Sequence, residues 1–237
     1  RPLLDNVMLA IRYVGPDNIK MPIIALIAKQ WQPHSTEPFS ETKVKLWQYS
    51  VAVANCMEQT ASTTRLPTLN AYLLGLVHGV GYGLALRLYL RSFEKVRTNE
   101  MKKARKSGRP DIEKALDALK VDGEFASDII FKHGLRLSTG IMEQLEFEQP
   151  FFVEAMEMAT AWPESSLNDE QHPQSAVYFR LLVKSIAYGQ YKILQKARLI
   201  ELNEAKRFLT NAQINNEFIS HLNQVDLTKL NLTTKHI

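Results

Sequence analysis

The longest uncharged stretch of the chain lies between Arg65 and Arg87, and it constrains the fold more than any other feature. Such a gap is unusual here because 23% of the 237 residues are charged. Residues 71–88 read AYLLGLVHGVGYGLALRL, with one histidine, His78, among large apolar residues and four glycines. Glycine lets backbones approach closely but destabilises a helix, so its repetition indicates a packing or functional requirement. We predict a central, buried helix in this region.

A membrane span is the alternative interpretation, because the uncharged stretch is long enough to cross a bilayer. However, Pro67, Asn70, His78 and the four glycines dilute its hydrophobicity. The neighbouring segments also show the one-sided apolar pattern of helices that pack in a soluble core. We therefore expect no membrane span.

Elsewhere in the chain, apolar residues recur at three- and four-residue spacing, and no segment alternates convincingly at period two. These patterns predict an all-α fold: a compact multi-helix bundle with a C-terminal helical extension. Besides the central helix, the predicted helices cover residues 5–14, 21–28, 41–59, 82–93, 111–119, 126–145, 150–161, 175–199, 201–209 and 215–222.

Local signals predict how the helices begin and end. Residues 61–65 are expected to form a polar turn, after which Thr68 caps the central helix. That helix breaks between Gly79 and Gly83, and the next one keeps Leu88 on its buried side. Farther along, Asp111 is expected to cap a short helix.

The chain is predicted to contain two parts that share one core. Residues 1–161 form the first, residues 174–237 the second, and a polar, proline-containing loop joins them. The helix over residues 126–145 is expected to be interrupted near Gly134 or Gly140, and the helix over 175–199 to be the longest. Its core-facing side chains are predicted to be Val177, Leu181, Leu182 and Ile186.

Composition limits the cellular setting but names no partner. The formal charge of +4 and the isoelectric point near 9.0 are only mildly basic. The single cysteine, Cys56, excludes an internal disulfide and a Cys-rich metal site, and we expect it to pack in the core. A reducing, cytoplasmic setting is the simplest expectation. Because the chain opens on Arg1-Pro2 without an apolar leader, we expect it to begin inside a longer sequence.

Two consecutive motifs carry a family resemblance. Residues 46–54 read LWQYSVAVA, and residues 71–81 read AYLLGLVHGVG. They resemble the Trp-x-His-Ser-like helix and the Gly-Leu-Leu-His-Asp-Ile-Gly helix of the HDOD family of bacterial signalling domains. Residues 8–20 are similar to the helix junction that precedes these motifs, and residues 138–150 match a later helix pair more weakly. The resemblance covers residues 5–161 and implies an HD-like helical bundle, with the first helices of the family missing.

The wider HD superfamily hydrolyses phosphate esters with His and Asp metal ligands. The same resemblance indicates which residues of this chain stand at those ligand positions. The first His position falls on Tyr49, the His-Asp pair on His78 and Gly79, and the later His near Arg136. A metal needs several converging nitrogen or oxygen ligands, which one imidazole, one phenol and one guanidinium do not supply. The resemblance therefore implies no catalytic residue, no metal and no cofactor, and it leaves Tyr49, His78 and Arg136 as candidate ligand-binding residues.

His78 has three interpretations when it is taken alone. The favoured one is a core imidazole that is hydrogen-bonded to a neighbour such as Tyr49, since a buried polar group needs a partner. A contact with a small ligand or a phosphate is the second interpretation. A metal ligand is the third, and the missing ligand set disfavours it.

The most basic part of the chain is residues 95–109, where seven basic residues stand against Glu100. Such a run can contact the phosphates of a nucleotide or nucleic acid. The favoured interpretation is a solvated, partly disordered connector, because short charge runs usually face solvent. No aromatic residue interleaves it, so nucleic-acid binding is not favoured.

Taken together, these features predict a non-catalytic signal-transduction or scaffold domain that acts through a protein partner or a small ligand such as a nucleotide. The alternative is a metal-dependent phosphohydrolase of nucleotides or cyclic dinucleotides with an unrecognised ligand set. The number of metal ligands around His78 distinguishes the two hypotheses.

Overall fold

A computed structural model describes residues 39, 41–64, 66–144, 150–161, 173–196, 198, 200–211, 214, 218, 219 and 222. All regular elements in this part of the chain are α-helices, which confirms the predicted all-α bundle. In chain order they are α1 (Thr42–Thr64), α2 (Thr68–Val77), α3 (Val80–Lys106), α4 (Pro110–Asp117), α5 (Gly123–Gln144), α6 (Pro150–Ala161), α7 (Pro173–Lys196) and α8 (Leu202–Asn211). The helices predicted over residues 5–14 and 21–28, most of 215–222 and the loop over 162–172 lie outside the described residues.

Helix α2 is the centre of the bundle, as the uncharged stretch predicts. Every residue from Ala71 to Val77 is buried. Helix α1 packs against both α2 and α7, and α3 packs against α5. Helix α6 contacts α5 and α7, while α4 lies on α3 and α8 lies on α7. The bundle therefore surrounds α2 and the junction where α3 begins.

The close contact between α1 and α2 depends on a glycine. A β-carbon placed at Gly75 would lie 2.6 Å from the Cα atom of Ala54 and 2.9 Å from its nitrogen. Both of these atoms belong to the backbone, so no side-chain rotation can make room. This contact explains one of the four glycines in the uncharged stretch.

By length and composition alone, the segment Thr68–Lys106 could cross a membrane. In the structure, 72% of its most apolar 18-residue window is buried inside the protein, as in the core helix of a bundle. The chain also interrupts this segment at His78 and Gly79.

Two predicted helix ends are wrong. Helix α1 continues to Thr64 through the expected turn, and within it the hydroxyls of Ser62, Thr63 and Thr64 donate to carbonyl oxygens of the preceding turn. Thr68 is not a capping residue: Pro67 occupies the N-cap position, and no side chain caps this end. The backbone angles of Pro67 therefore fix the start of α2.

Two predictions about the middle of the chain are also wrong. Asp111 lies in the first turn of α4, whose N-cap residue is Arg109. Helix α5 is uninterrupted from Gly123 to Gln144, so neither Gly134 nor Gly140 breaks it. A single glycine in a helix interior costs only about 1 kcal/mol, which tertiary packing readily offsets.

Helix α3 differs most from the prediction. It runs for 27 residues, longer than the 24 residues of α7, and it includes residues 95–106 of the basic run. That segment is therefore helical and not a disordered connector. Leu88, expected on the buried side, is 48% exposed, because the buried face of α3 is formed by residues such as Tyr82, Ala85 and Leu86.

Helix α7 packs against α1, α2 and α6, with Leu181 and Leu182 buried as predicted. Val177 was expected in the core but is 41% exposed. The reason is that the buried face of α7 centres on Tyr178, Leu182 and Ser185, which places Val177 about 100° around the helix. The division into parts at residues 161 and 174 stays a prediction.

Candidate functional site at the junction of helices α2 and α3

The candidate site lies where the backbone passes from α2 to α3 through His78 and Gly79. His78 keeps helical backbone angles, and its N–H donates to the carbonyl oxygen of Leu74 at 3.0 Å. Its side chain is fully buried. The junction therefore places one imidazole in the centre of the bundle.

Among the residues that the structure describes, the imidazole has one hydrogen-bond partner. Its Nδ1 atom forms a short contact with the carbonyl oxygen of Gly75, so Nδ1 carries the proton and donates. The Nε2 atom is buried and has no hydrogen-bond partner among the described residues. Burial lowers the pKa of His78 to about 4, and the Gly75 carbonyl opposes this shift only in part. The ring is therefore neutral at pH 7.

Two tyrosine rings surround this imidazole. The centroid of the His78 ring lies 5.4 Å from that of Tyr49 and 5.9 Å from that of Tyr82, and the two tyrosine centroids are 5.9 Å apart. All three pairs meet edge to face, a favourable arrangement for aromatic rings. We call these three residues the aromatic cluster. The imidazole packs against Tyr49 and does not hydrogen-bond to it, in contrast to the suggested partnership.

The tyrosine hydroxyls of the cluster are also neutral. Burial raises the pKa of Tyr82 to about 12 and raises that of Tyr49 well above its ordinary value. The Tyr49 hydroxyl has no partner of good hydrogen-bond geometry among the described residues, although the side chains of Tyr82 and Gln190 lie close enough to affect its pKa. Within the described part of the chain, the cluster therefore holds two buried polar atoms without a well-placed partner, the Tyr49 hydroxyl and His78 Nε2.

A serine from a distant part of the chain fastens the junction to α5. The Ser138 hydroxyl donates to the carbonyl oxygen of His78 at 2.6 Å and accepts from the N–H of Gly81 at 2.7 Å. These groups belong to helix ends, which lack partners within their own helix. A β-carbon at Gly81 would collide with the carbonyl oxygen of Gly134, so α3 and α5 approach closely at this point. Ser138 thus satisfies the backbone at the break.

Gly79, which stands where the family motif has aspartate, has no room for a side chain. An added β-carbon would overlap the Oγ atom of Ser50 and lie 2.7 Å from its Cβ atom. Ser50 is itself held in place, because its hydroxyl donates to the carbonyl oxygen of Leu46 at 2.9 Å. Ser50 therefore occupies the space that a carboxylate side chain at position 79 would need.

A pocket of about 450 Å³ opens beside the aromatic cluster. Its apolar lining comes from three helices: Leu46 and Tyr49 of α1, Phe131 of α5, and Ile193 and Leu194 of α7. Its polar lining residues are Glu41, Thr42, Lys45 and Gln190. A mostly apolar cavity with a few polar groups is typical of small-molecule sites.

Arg136 lies elsewhere. It is exposed on α5 and lines a groove between α3 and α5, whose lining includes neither Tyr49 nor His78. The structure therefore brings two of the three candidate residues, Tyr49 and His78, together.

Sequence reasoning missed Tyr82 and Ser138. Tyr82 could have been found, because it follows His78 by four residues and so lies near it on a helix.

The residues at the junction do not fit a metal ion. His78 could offer only its Nε2 atom, two tyrosine rings pack against its imidazole, and a carboxylate side chain at position 79 would collide with Ser50. Within the described ranges, no group of three or more His, Cys, Asp and Glu side chains is arranged to hold a metal.

Comparison with known proteins identified a family. No curated protein and no solved structure matched the sequence. The family model described as "HDOD domain" matches residues 3–122, just over half of the chain, including α1, α2, α3 and α4. The match covers the aromatic residues Tyr49, His78 and Tyr82. The chain belongs to the HDOD family.

Proposed function

We propose that this chain is a non-catalytic signal-transduction or scaffold domain of HDOD type that acts through a protein partner. In this proposal it works in a bacterial cytoplasm, as the resemblance and the single cysteine suggest. A small ligand, such as a nucleotide, shifts its packing by entering the pocket beside Tyr49.

The observation that carries this proposal is the occupation of the space next to Gly79 by Ser50. Metal-assisted hydrolysis needs an ion fixed by anionic or imidazole ligands, so that the pKa of a bound water falls. A carboxylate at position 79 would offset the charge of that ion, but the Ser50 side chain fills its place. This steric fact supports a packing role for the junction.

The state of the aromatic cluster also supports this proposal. His78, Tyr49 and Tyr82 are all neutral near pH 7, and burial is the main cause of each pKa shift. A general base works best with a pKa near the operating pH, whereas the pKa of His78 is about 4. These groups are better suited to packing than to proton transfer.

The test compares metal content with turnover. The protein is purified without chelator, its bound manganese, iron, nickel and zinc are measured, and cyclic dinucleotides and a generic phosphodiester are assayed. We expect metal well below one ion per chain and no turnover above background. His78→Gln probes the site, and His133→Gln, at an exposed histidine on α5, is the matched control.

Stoichiometric metal with turnover that His78→Gln abolishes and His133→Gln retains would replace this proposal with the phosphohydrolase alternative. A separate titration tests whether a small ligand binds. Cyclic dinucleotides and mononucleotides are added to the protein one at a time, and binding is followed by tyrosine fluorescence.

A further inference from the structure

One face of helix α3 runs unbroken from the bundle to the tip of the helix. Leu84, Leu88, Ser92, Asn99 and Lys106 all fall within about 80° of one another at 100° per residue. The face spans about 33 Å, at about 1.5 Å per residue. We call it the α3 face. Its first half is apolar and its second half is basic.

The apolar half forms one wall of a groove with a volume of about 790 Å³ between α3 and α5. Leu84 and Leu88 come from α3, and Ile129, Leu137 and Ile141 come from α5. Leu88 stays 48% exposed in this groove. Contiguous apolar surface of this kind marks interaction sites, because leaving it in water costs free energy.

The basic half lies on the part of α3 that extends beyond the core. After Leu86, only Ala104 of this helix is buried. The face there carries Lys95, Lys102 and Lys106, and none of the three forms an ion pair within the described residues. By contrast, Lys103 pairs with Glu100 at 2.6 Å.

An exposed apolar side chain lies at the edge of this basic half. Val96, which is 60% exposed, lines a depression of about 350 Å³ together with Asn99, Lys102, Lys106 and the ion pair between Glu100 and Lys103. Arg136, on the α5 wall of the larger groove, adds another cation. The α3 face therefore offers a concave apolar end and a positively charged end with apolar contact.

We infer that the α3 face binds an amphipathic helix of a protein partner, with apolar side chains in the groove beside Leu88 and acidic side chains along Lys95, Lys102 and Lys106. A helix of about 22 residues matches the length of the face. This inference rests on the proposed function, because it names the surface through which a non-catalytic domain recognises its partner. Such helix-in-groove recognition is anchored by apolar residues at helical spacing.

The shape of the surface disfavours two other occupants. A nucleic acid would use the lysines but would gain nothing from Leu84, Leu88 and Ile141, and no aromatic residue interleaves the basic run for base stacking. An anionic membrane needs apolar side chains that protrude, whereas these line a groove. An acidic amphipathic helix fits both the apolar groove and the positive charge of the α3 face.

The experiment is a selection of peptides of about 22 residues from a random display library against the purified full chain, followed by binding titrations of the enriched peptides. We expect these peptides to carry apolar residues at helical spacing at one end and several Asp or Glu residues at the other. Leu88→Ser and the double variant Lys102→Glu/Lys106→Glu should each weaken binding about tenfold, the charge variant mainly at low ionic strength.

Matched controls use exposed residues off the face, Val44→Ser on α1 and Lys132→Glu on α5, which should leave binding unchanged. The inference is overturned if no peptide is enriched, if the peptides lack acidic residues, or if both face variants bind them as tightly as the unmodified chain. Duplex DNA or phosphatidylserine vesicles that bind through the same residues would also overturn it. Phosphodiesterase turnover by the same preparation would refute the proposed function without bearing on peptide binding.

Discussion

Replacing Gly79 with alanine is expected to lower the free energy of unfolding by about 1–3 kcal/mol, the usual cost of overpacking a close-packed core. The added methyl group would overlap the Oγ atom of Ser50 and lie 2.7 Å from its Cβ atom. Rotation of the hydroxyl removes the first collision but breaks its hydrogen bond to Leu46, and it leaves the second. The helices must therefore move apart.

The backbone conformation at Gly79, taken alone, favours the alanine variant. Its φ of −85° and ψ of −8° are open to alanine. Such a substitution would by itself stabilise the protein by about 0.4–1 kcal/mol, through the unfolded chain. A net loss of stability is therefore smaller than the steric cost by about that amount.

Removing the Ser50 side chain should abolish or reverse the destabilising effect of Gly79→Ala. In a Ser50→Gly background the nearest remaining Ser50 atom is Cα, at 3.4 Å from the new methyl group, an ordinary contact. Gly79→Ala should then be neutral or stabilising, which gives a coupling energy of about 2 kcal/mol between the two positions. Gly140→Ala is the matched control, because a β-carbon there meets nothing within 4 Å.

Urea unfolding followed by circular dichroism gives the four free energies of this cycle. If Gly79→Ala costs the same in both backgrounds, or costs nothing in either, the steric explanation for the missing carboxylate at position 79 is refuted. A stable Gly79→Asp variant would refute it as well.

Three further predictions concern buried groups. The pKa of His78 is about 4 in the fold and 6.5 when exposed, so the unfolded chain binds more protons below pH 6.5. The free energy of unfolding should therefore fall by up to about 3 kcal/mol as the pH drops from 6.5 to 4. Urea unfolding at several pH values should show a weaker pH dependence of this free energy for His78→Leu. Ser138→Ala should lower the free energy of unfolding by about 1–3 kcal/mol, because the Gly81 N–H loses its acceptor. Ser62→Ala, at an exposed helix end, should lower it much less in the same assay. Burial raises the pKa of Cys56 to about 12, so its thiol should react with Ellman's reagent only when the chain is unfolded; rapid reaction of the native protein would contradict this.

The sequence predicted the parts of the fold that depend on local pattern. Helix α2 is buried on all sides from Ala71 to Val77, so its lack of charge was sufficient to place it at the centre. Helix α6 carries two glutamates and is buried on one side only, at residues whose spacing is helical: Phe152, Ala155, Met156 and Ala159. Apolar spacing fails at the edge of a buried face, where Val177 and Leu88 are exposed, because the position of the neighbouring helix decides the outcome.

The candidate site was predictable only in part. The motif resemblance placed Tyr49 and His78 in adjacent helices, and their rings do meet. Arg136 lies 58 residues after His78, and a match of motifs does not show which side of α5 faces the junction. Ser138 lies only two residues from Arg136, yet it faces the opposite side and bonds to the junction. Side-chain direction on α5, and therefore tertiary packing, separates the two.

The junction at His78 and Gly79 also has a mechanical consequence. Helix α3 is about 40 Å long and is held at its first turns by Ser138 and the tight contact with α5. A rotation of α3 about this end would displace its two ends unequally. A rotation of about 5° would move the far end, near Lys106, by roughly 3.5 Å, while atoms beside His78 would move by only a few tenths of an ångström. A small change in packing at the aromatic cluster would then produce a displacement about ten times larger at the surface of the protein.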